Sequence, residues 1–212
     1  MVDDASHYRA LAACYARGAL GQLALDDDAA LAAGAAAALR LHRFKRTAGL
    51  PRVRAVLGAL RGLGPAAICD VGSGRGAFLW PMLDELLAVE VIALDLLPHR
   101  VADLAAVARG GVARLRAVRT DIERAGLTSD VVDVVTLLEV LEHVRDPAAA
   151  AAEALRLARR AVVVTVPSVP DDNPEHVRLF DKASLTALFM GAGARRVAVD
   201  GVRGHLVAVI HR

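Results

Sequence analysis

Three glycines at alternate positions follow a short apolar run about a third of the way along the chain. The run at residues 68–71 is typical of a buried strand, and Gly72, Gly74 and Gly76 lead into a segment with the apolar spacing of a helix. Glycine permits the positive φ of a direct strand-to-helix turn and lets a ligand approach the backbone amides. This stretch therefore predicts an α/β fold with a nucleotide-type ligand at the end of its first strand.

The spacing of the glycines narrows the choice of ligand. In the dinucleotide pattern G-x-G-x-x-G the third glycine would stand at position 77, which is Ala77. The G-x-G-x-G found here is the form typical of S-adenosylmethionine (SAM) sites, but the dinucleotide pattern also accepts alanine last. The loop alone therefore leaves both ligands open.

Composition limits the class of protein. With 212 residues and 55% hydrophobic content, the chain is long enough for one α/β domain with a modest N-terminal extension. A net charge of +2 and 3% aromatic residues give little support to nucleic-acid binding. Cys14 and Cys69 form no metal or disulfide pattern. No apolar run reaches the roughly 20 residues of a membrane span. We therefore expect a cytoplasmic protein without a membrane span; its oligomeric state is unknown at this stage.

From residue 65 onward, apolar runs alternate with amphipathic segments, which predicts a Rossmann-like, mostly parallel sheet with helices on both faces. The seven predicted strands are 67–71, 90–95, 114–119, 131–138 and 161–166, followed by an antiparallel hairpin of 195–200 and 205–210. The predicted helices are 5–25, 29–43, 51–62, 77–87, 97–108, 147–158 and 182–191. The domains are then residues 1–50, a helical extension or lid, and residues 51–212.

Two charged stretches in the N-terminal part each have two interpretations. The acidic run 26–28 is typical of a helix cap, with a metal site as the less favoured alternative. The basic segment 40–54 is either a solvated helix face or a positively charged rim for an anionic substrate.

Three acidic residues follow three predicted strands, at the sheet edge where α/β proteins bind ligands. Asp70 lies at the end of the first strand, Asp95 ends the second, and Asp121 follows the third. A carboxylate at Asp95 would accept hydrogen bonds from ribose hydroxyls. Asp121 would accept one from an adenine amino group while Ile122 packs on the ring. Each acid alone is compatible with a helix cap. Three acids that follow their strands at equivalent positions favour a ligand site.

These residues, together with the terminal hairpin, make the chain from about residue 50 resemble the class I SAM-dependent methyltransferases. The resemblance implies SAM as the cofactor and methyl transfer to a small-molecule acceptor, most simply a hydroxyl oxygen. The cofactor-binding positions it implies are Asp70, Gly72, Ser73, Gly74, Asp95, Leu96, Asp121, Ile122 and Leu138.

An E-x-x-E-H segment follows the fourth predicted strand. Its spacing predicts Glu139, Glu142 and His143 on one face of a helical turn, where carboxylates and an imidazole suit a divalent metal. The segment resembles metal-assisted O-methyltransferases that act on polyprenyl catechols of ubiquinone synthesis or on the 3′-terminal ribose of small RNAs. That resemblance implies Mg or Zn held by Glu139, Glu142, His143 and His176. Glu175, next to His176 in the sequence, is a further candidate for the same cluster.

Other interpretations stay open at this stage. The acidic and imidazole groups can instead stabilise the helix start and contact the ligands, with His143 or His176 as the general base. The whole protein can also be a SAM-binding protein without catalysis, a methyltransferase acting on RNA, or a nicotinamide-dependent oxidoreductase. The low aromatic content favours a small molecule over RNA.

Overall fold

The computed structural model describes residues 2–170 and 177–212, and its centre is a seven-stranded sheet. The strands are β1 (Ala67–Val71), β2 (Glu90–Asp95), β3 (Leu115–Arg119), β4 (Val132–Leu138), β5 (Ala158–Pro167), β6 (Arg196–Val202) and β7 (His205–His211). Their order is β3-β2-β1-β4-β5-β7-β6. Strands β1 to β5 pair in parallel, and β7 runs antiparallel to both β5 and β6. This confirms the predicted fold class and the terminal hairpin.

The helices begin with ordinary start signals. They are α1 (Arg9–Leu20), α2 (Asp27–Ala36), α3 (Pro51–Leu63), α4 (Leu79–Glu85), α5 (Pro98–Arg109), α6 (Pro147–Leu157) and α7 (Lys182–Gly191), with short 3-10 turns at Leu41–Phe44 and Ile122–Arg124. Proline opens α3, α5 and α6, where its missing N–H has no intrahelical partner to lose. Asp26 accepts a hydrogen bond from the Ala29 amide at 2.8 Å, so the acidic run does cap α2.

The first two helices are shorter than predicted. The predicted helix over 5–25 is too long at both ends. Helix α1 begins at Arg9 and ends at Leu20, because the following Gly21 adopts a left-handed conformation with φ +70°. The prediction over 29–43 fails because the chain leaves α2 after Ala36 and Ala38 has φ +54°. Alanine has the highest helix propensity, so the alanine-rich sequence of this region does not indicate where these two helices begin or end.

Both faces of the sheet are buried under helices. In β1, Ile68 packs into an apolar cluster formed with α1 to α5, whereas Cys69 and Val71 pack into a second cluster formed with α6 and α7. The same alternation continues along β4 and β5. Aliphatic side chains on both sides are what a parallel sheet covered on two faces requires.

The N-terminal helices share the first of these clusters. Helix α1 lies against α5 at unusually short range, since a Cβ on Gly18 would be 1.9 Å from the Ala106 carbonyl oxygen and one on Gly110 would be 1.7 Å from that of Cys14. Residues 2–50 are thus packed against the sheet domain, while the role of the extension as a lid stays a prediction. No helix in the described residues is long and apolar enough to cross a membrane.

Candidate cofactor and acceptor site

The glycine loop after β1 depends on backbone conformations that favour glycine. Gly72, Gly74 and Gly76 have φ values of +67°, +57° and +82°. The Gly72 amide donates to the Leu94 carbonyl at 2.8 Å, and the Gly76 amide donates to the Ser73 carbonyl at 2.8 Å. The hydrogen bond from Gly72 to Leu94 connects the loop to the end of β2, so the loop lies at the carboxyl ends of the neighbouring strands β1 and β2.

Asp70 is buried beneath this loop, with 2% of its surface exposed. Its Oδ2 accepts a hydrogen bond from the Ser73 hydroxyl and its Oδ1 from the Thr136 hydroxyl, both at 2.7 Å. Burial raises the pKa of the Asp70 carboxyl to about 6, although the two hydroxyls act to lower it, and nearby Asp95 raises it further. A cationic ligand group above the loop would compensate this buried charge.

Asp95 connects the glycine loop to the start of α5. Its Oδ2 accepts from the Gly74 amide at 3.0 Å and its Oδ1 from the Leu97 amide at 2.9 Å. The Arg100 guanidinium lies 3.7 Å from the same carboxylate. Because a carboxylate offers about four acceptor positions, Asp95 retains capacity for ribose hydroxyls.

The remaining predicted cofactor positions lie along the same edge of the sheet. Asp121 is exposed and accepts a hydrogen bond from the Glu123 amide at 3.0 Å, so it also acts as a cap. Ile122 is buried and Leu96 is 57% exposed. Leu138 is partly buried at the last position of β4. The geometry is compatible with an adenine site there, and these residue roles stay a prediction.

Glu139 departs from the prediction. It has φ +57°, a left-handed conformation that interrupts any helical turn, so Glu139, Glu142 and His143 do not share one helical face. The Glu139 amide donates to the Thr165 carbonyl at 3.0 Å. The Glu139 carboxylate accepts from the Thr165 hydroxyl at 2.7 Å and contacts His205 Nε2 at 3.1 Å. Glu139 is therefore directed towards β5 and β7.

The other predicted metal ligands differ in environment. Glu142 is buried with 0% exposure, and His143 is exposed. His176 and Glu175 lie outside the described residues. Among residues 2–170 and 177–212, no group of three or more His, Cys, Asp or Glu side chains could hold a metal ion. The described residues alone do not form the predicted metal centre, and metal binding stays a prediction.

Three polar residues of the site were not assigned a role from the sequence. Thr136 and Thr165 are fully buried, on the sheet face opposite their aliphatic neighbours in the second apolar cluster. The available signal was a hydroxyl inside an aliphatic strand, which needs a buried partner. His205 could not be found this way, because it reaches Glu139 only when β7 returns beside β5.

The basic segment is partly neutralised by acidic residues of the domain. Arg43 pairs with Asp103 of α5, and Arg46 lies 3.4 Å from Asp84 of α4. A basic rim for an anionic substrate would therefore have fewer available charges than the sequence indicates.

Comparison with known proteins gives a family match for the central part of the chain. Residues 69–165 match the methyltransferase domain family, and this stretch contains the glycine loop and all three acids. This partial match agrees with the resemblance to class I SAM-dependent methyltransferases, and it supports SAM as the cofactor.

Solved methyltransferases have a similar fold at low sequence identity. A SAM-dependent methyltransferase from Aquifex aeolicus matches with TM-score 0.63 and 19% identity, over 77% of this chain and 90% of that one. An O-methyltransferase family protein from Burkholderia thailandensis matches with TM-score 0.58 and 18% identity, over 76% and 57%. A Nostoc punctiforme protein provisionally assigned as an O-methyltransferase matches with TM-score 0.61 and 16% identity, over 76% and 55%. The chain thus spans just over half the length of the last two. A search of curated proteins gives no match.

Proposed function

We propose that the protein transfers a methyl group from SAM to a hydroxyl oxygen of a small molecule. The observation that carries this proposal is the position of Glu139 beside the glycine loop. The next residue, Val140, lies over Gly72, since a Cβ on that glycine would be 2.7 Å from Val140 Cγ2. The Glu139 backbone thus lies next to the cofactor loop, and its carboxylate, held by Thr165 and His205, is 26% exposed and offers a hydrogen-bond acceptor near that loop. The similarity to an O-methyltransferase family protein supports oxygen as the acceptor atom.

The residues below the loop suit the cofactor. SAM carries a methyl group already activated on a sulfonium, so the protein mainly has to align the nucleophile and exclude water. Asp70 would compensate the ammonium group of the methionine part, and Asp95 would accept hydrogen bonds from the ribose hydroxyls. Gly72, Ser73 and Gly74 would line the cofactor with backbone atoms. Leu96, Asp121, Ile122 and Leu138 would surround the adenine.

The acceptor side would be formed by Glu139 and the residues that hold it. Thr165 and His205 fix the two carboxylate oxygens of Glu139, so a substrate hydroxyl donating to this carboxylate meets a group of defined orientation. His143 and His176 remain the proposed general bases, with the imidazole removing the hydroxyl proton.

Metal assistance is a second version of the same proposal. It is supported by the donor chemistry of Glu139, Glu142, His143 and His176, which suits Mg or Zn and would lower the pKa of a bound hydroxyl. The hydrogen bonds of Glu139 to Thr165 and His205 favour the version without metal. We expect turnover to survive EDTA and metal analysis of protein purified without chelator to find no stoichiometric ion. Loss of turnover in EDTA with recovery in Mg or Zn would establish the metal-assisted version.

The function is tested in two stages. Calorimetry with S-adenosylhomocysteine (SAH) measures cofactor binding, and SAH release is then assayed with a panel of phenols, catechols and sugars together with a short RNA ending in a free ribose. Turnover with a hydroxyl compound is expected. Binding without turnover across the panel would favour a non-catalytic SAM-binding protein, turnover only with RNA would change the substrate class, and NAD binding without SAH binding would overturn the cofactor.

A further inference from the structure

The extension before the methyltransferase domain is anchored on α5. The Tyr15 hydroxyl donates to Asp103 at 3.0 Å, and Arg43 forms an ion pair with the same carboxylate. The α1–α5 contact at Gly18 and Gly110 permits no separation of the two backbones without loss of packing. The segment that follows α2 therefore has a defined position relative to the sheet.

From this anchor the extension contacts the glycine loop itself. Phe44 stacks on Trp80 with ring centroids 4.8 Å apart. The Trp80 indole N–H donates to the Arg75 carbonyl at 2.9 Å and also faces the Arg43 carbonyl at 3.2 Å. One donor is thus shared between a loop carbonyl and a carbonyl of the extension.

Two further contacts join the same parts. The Thr47 hydroxyl donates to the Ala77 carbonyl at 2.7 Å. The Trp80 ring occupies the space beside Gly76, where a Cβ would be 2.0 Å from the ring. The loop is therefore bounded by β1 and β2 on one side and by residues of the extension on the other.

We infer that residues 43–47 and Trp80 form a brace that holds the glycine loop in its cofactor-binding conformation, so that Thr47 and Trp80 are positioning residues for SAM. The inference rests on the proposed cofactor site and deepens it. A loop with three positive-φ glycines has many accessible conformations, and holding it in one of them removes an entropic penalty from binding. The extension accordingly contributes to cofactor affinity without touching the cofactor.

The experiment compares SAH affinity in variants that change single bonds of the brace. Thr47→Val removes the hydroxyl with little change in volume, Thr47→Ser keeps it, and Trp80→Phe removes the indole N–H. Because one hydrogen bond contributes about 0.5–1.5 kcal/mol, we expect Thr47→Val to weaken SAH binding about twofold to tenfold by calorimetry. Thr47→Ser should bind SAH as the wild type does, and Trp80→Phe should resemble Thr47→Val.

A spectroscopic readout separates positioning from stability. Trp80 is the single tryptophan of the chain, so its fluorescence reports on the brace directly. SAH should change the emission of the wild type and of Thr47→Ser, and a higher SAH concentration should be needed for the same change in Thr47→Val. The melting temperature is also measured for each variant. Loss of one hydrogen bond worth about 0.5–1.5 kcal/mol should lower it by about 1–6 °C, and a larger fall would indicate a general loss of structure.

The outcomes distinguish the inference from the function on which it rests. If the wild type binds SAH and both Thr47→Val and Trp80→Phe bind it equally well, the brace has no positioning role. If affinity falls equally in Thr47→Val and Thr47→Ser, the hydroxyl is not the cause and the inference fails. If the wild type itself does not bind SAH, the cofactor proposal fails instead.

Discussion

Replacing Asp70 by asparagine should make the protein more stable while weakening its cofactor binding. Asparagine has nearly the same shape, and the Ser73 and Thr136 hydroxyls can rotate to donate to its carbonyl or accept from its amide. The substitution therefore keeps two hydrogen bonds and removes a buried charge. A change that raises stability and lowers function is typical of a binding site.

The magnitude follows from the pKa of the carboxyl. Burial raises it from 3.8 to about 6, a difference equivalent to about 3 kcal/mol. Because the pKa is higher in the folded than in the unfolded state, the contribution of Asp70 to stability is full below about pH 4 and is lost as the pH rises through about 6. At pH 5 about half of this loss has occurred, and by pH 8 it is complete. The advantage of Asp70→Asn should therefore be about 1–2 kcal/mol larger at pH 8 than at pH 5.

Urea unfolding of the wild type and of Asp70→Asn at pH 5 and pH 8 measures this difference in stability. SAH calorimetry at pH 8 should show binding to Asp70→Asn weakened by about tenfold or more, because a charged hydrogen-bond partner is lost. Asp133→Asn is the opposite control. Burial alone would raise the pKa of Asp133, but the Ala67 and Ala66 amides and Arg159 hold it below its usual range. That variant should be less stable than the wild type at both pH values. An advantage of Asp70→Asn that is equal at pH 5 and pH 8 would refute the reasoning.

Three further predictions address other parts of the site and fold. Asp95→Ala should weaken SAH binding by about 1–3 kcal/mol in calorimetry, and unchanged affinity would remove its ribose role. Gly110→Ala should destabilise the protein by about 2 kcal/mol or more in urea unfolding, because the added Cβ would meet the Cys14 carbonyl. The control Gly58→Ala, on the exposed side of α3, should instead stabilise the protein by about 0.5–1 kcal/mol. Glu139→Gln should lower kcat/KM in the SAH-release assay while SAH affinity stays at the wild-type value; a parallel loss of SAH affinity would contradict an acceptor-side role.

Much of the fold could be predicted because local signals were strong. The first two strands were predicted to the residue, since each is a short, mostly apolar run with an acid at or next to its last position. The glycines marked the loop because few other residues tolerate its backbone. The antiparallel pairing of β6 with β7 agrees with the hairpin signal around Gly201 and Gly204.

The parts that could not be predicted depend on contacts distant in sequence. The spacing of Glu139 and Glu142 indicated a helical turn, but the bonds of Glu139 to Thr165 and His205 accompany a left-handed conformation that no local pattern encodes. The contact of Trp80 with Phe44 likewise requires the extension to pack on α5 first. The acceptor side of the site is therefore less accessible to sequence reasoning than the cofactor side.

The position of β7 in the sheet also affects when the sheet can be completed during protein synthesis. Strand β5 is complete at Pro167, yet its outer edge finds its partner only in residues 205–211. During translation, about forty further residues must be synthesised before the backbone groups on the outer edge of β5 can pair with β7. A ribosome pausing between α7 and β7 would expose an unpaired, aggregation-prone edge next to the half-built acceptor site, so the yield of folded protein should be sensitive to elongation rate in that interval.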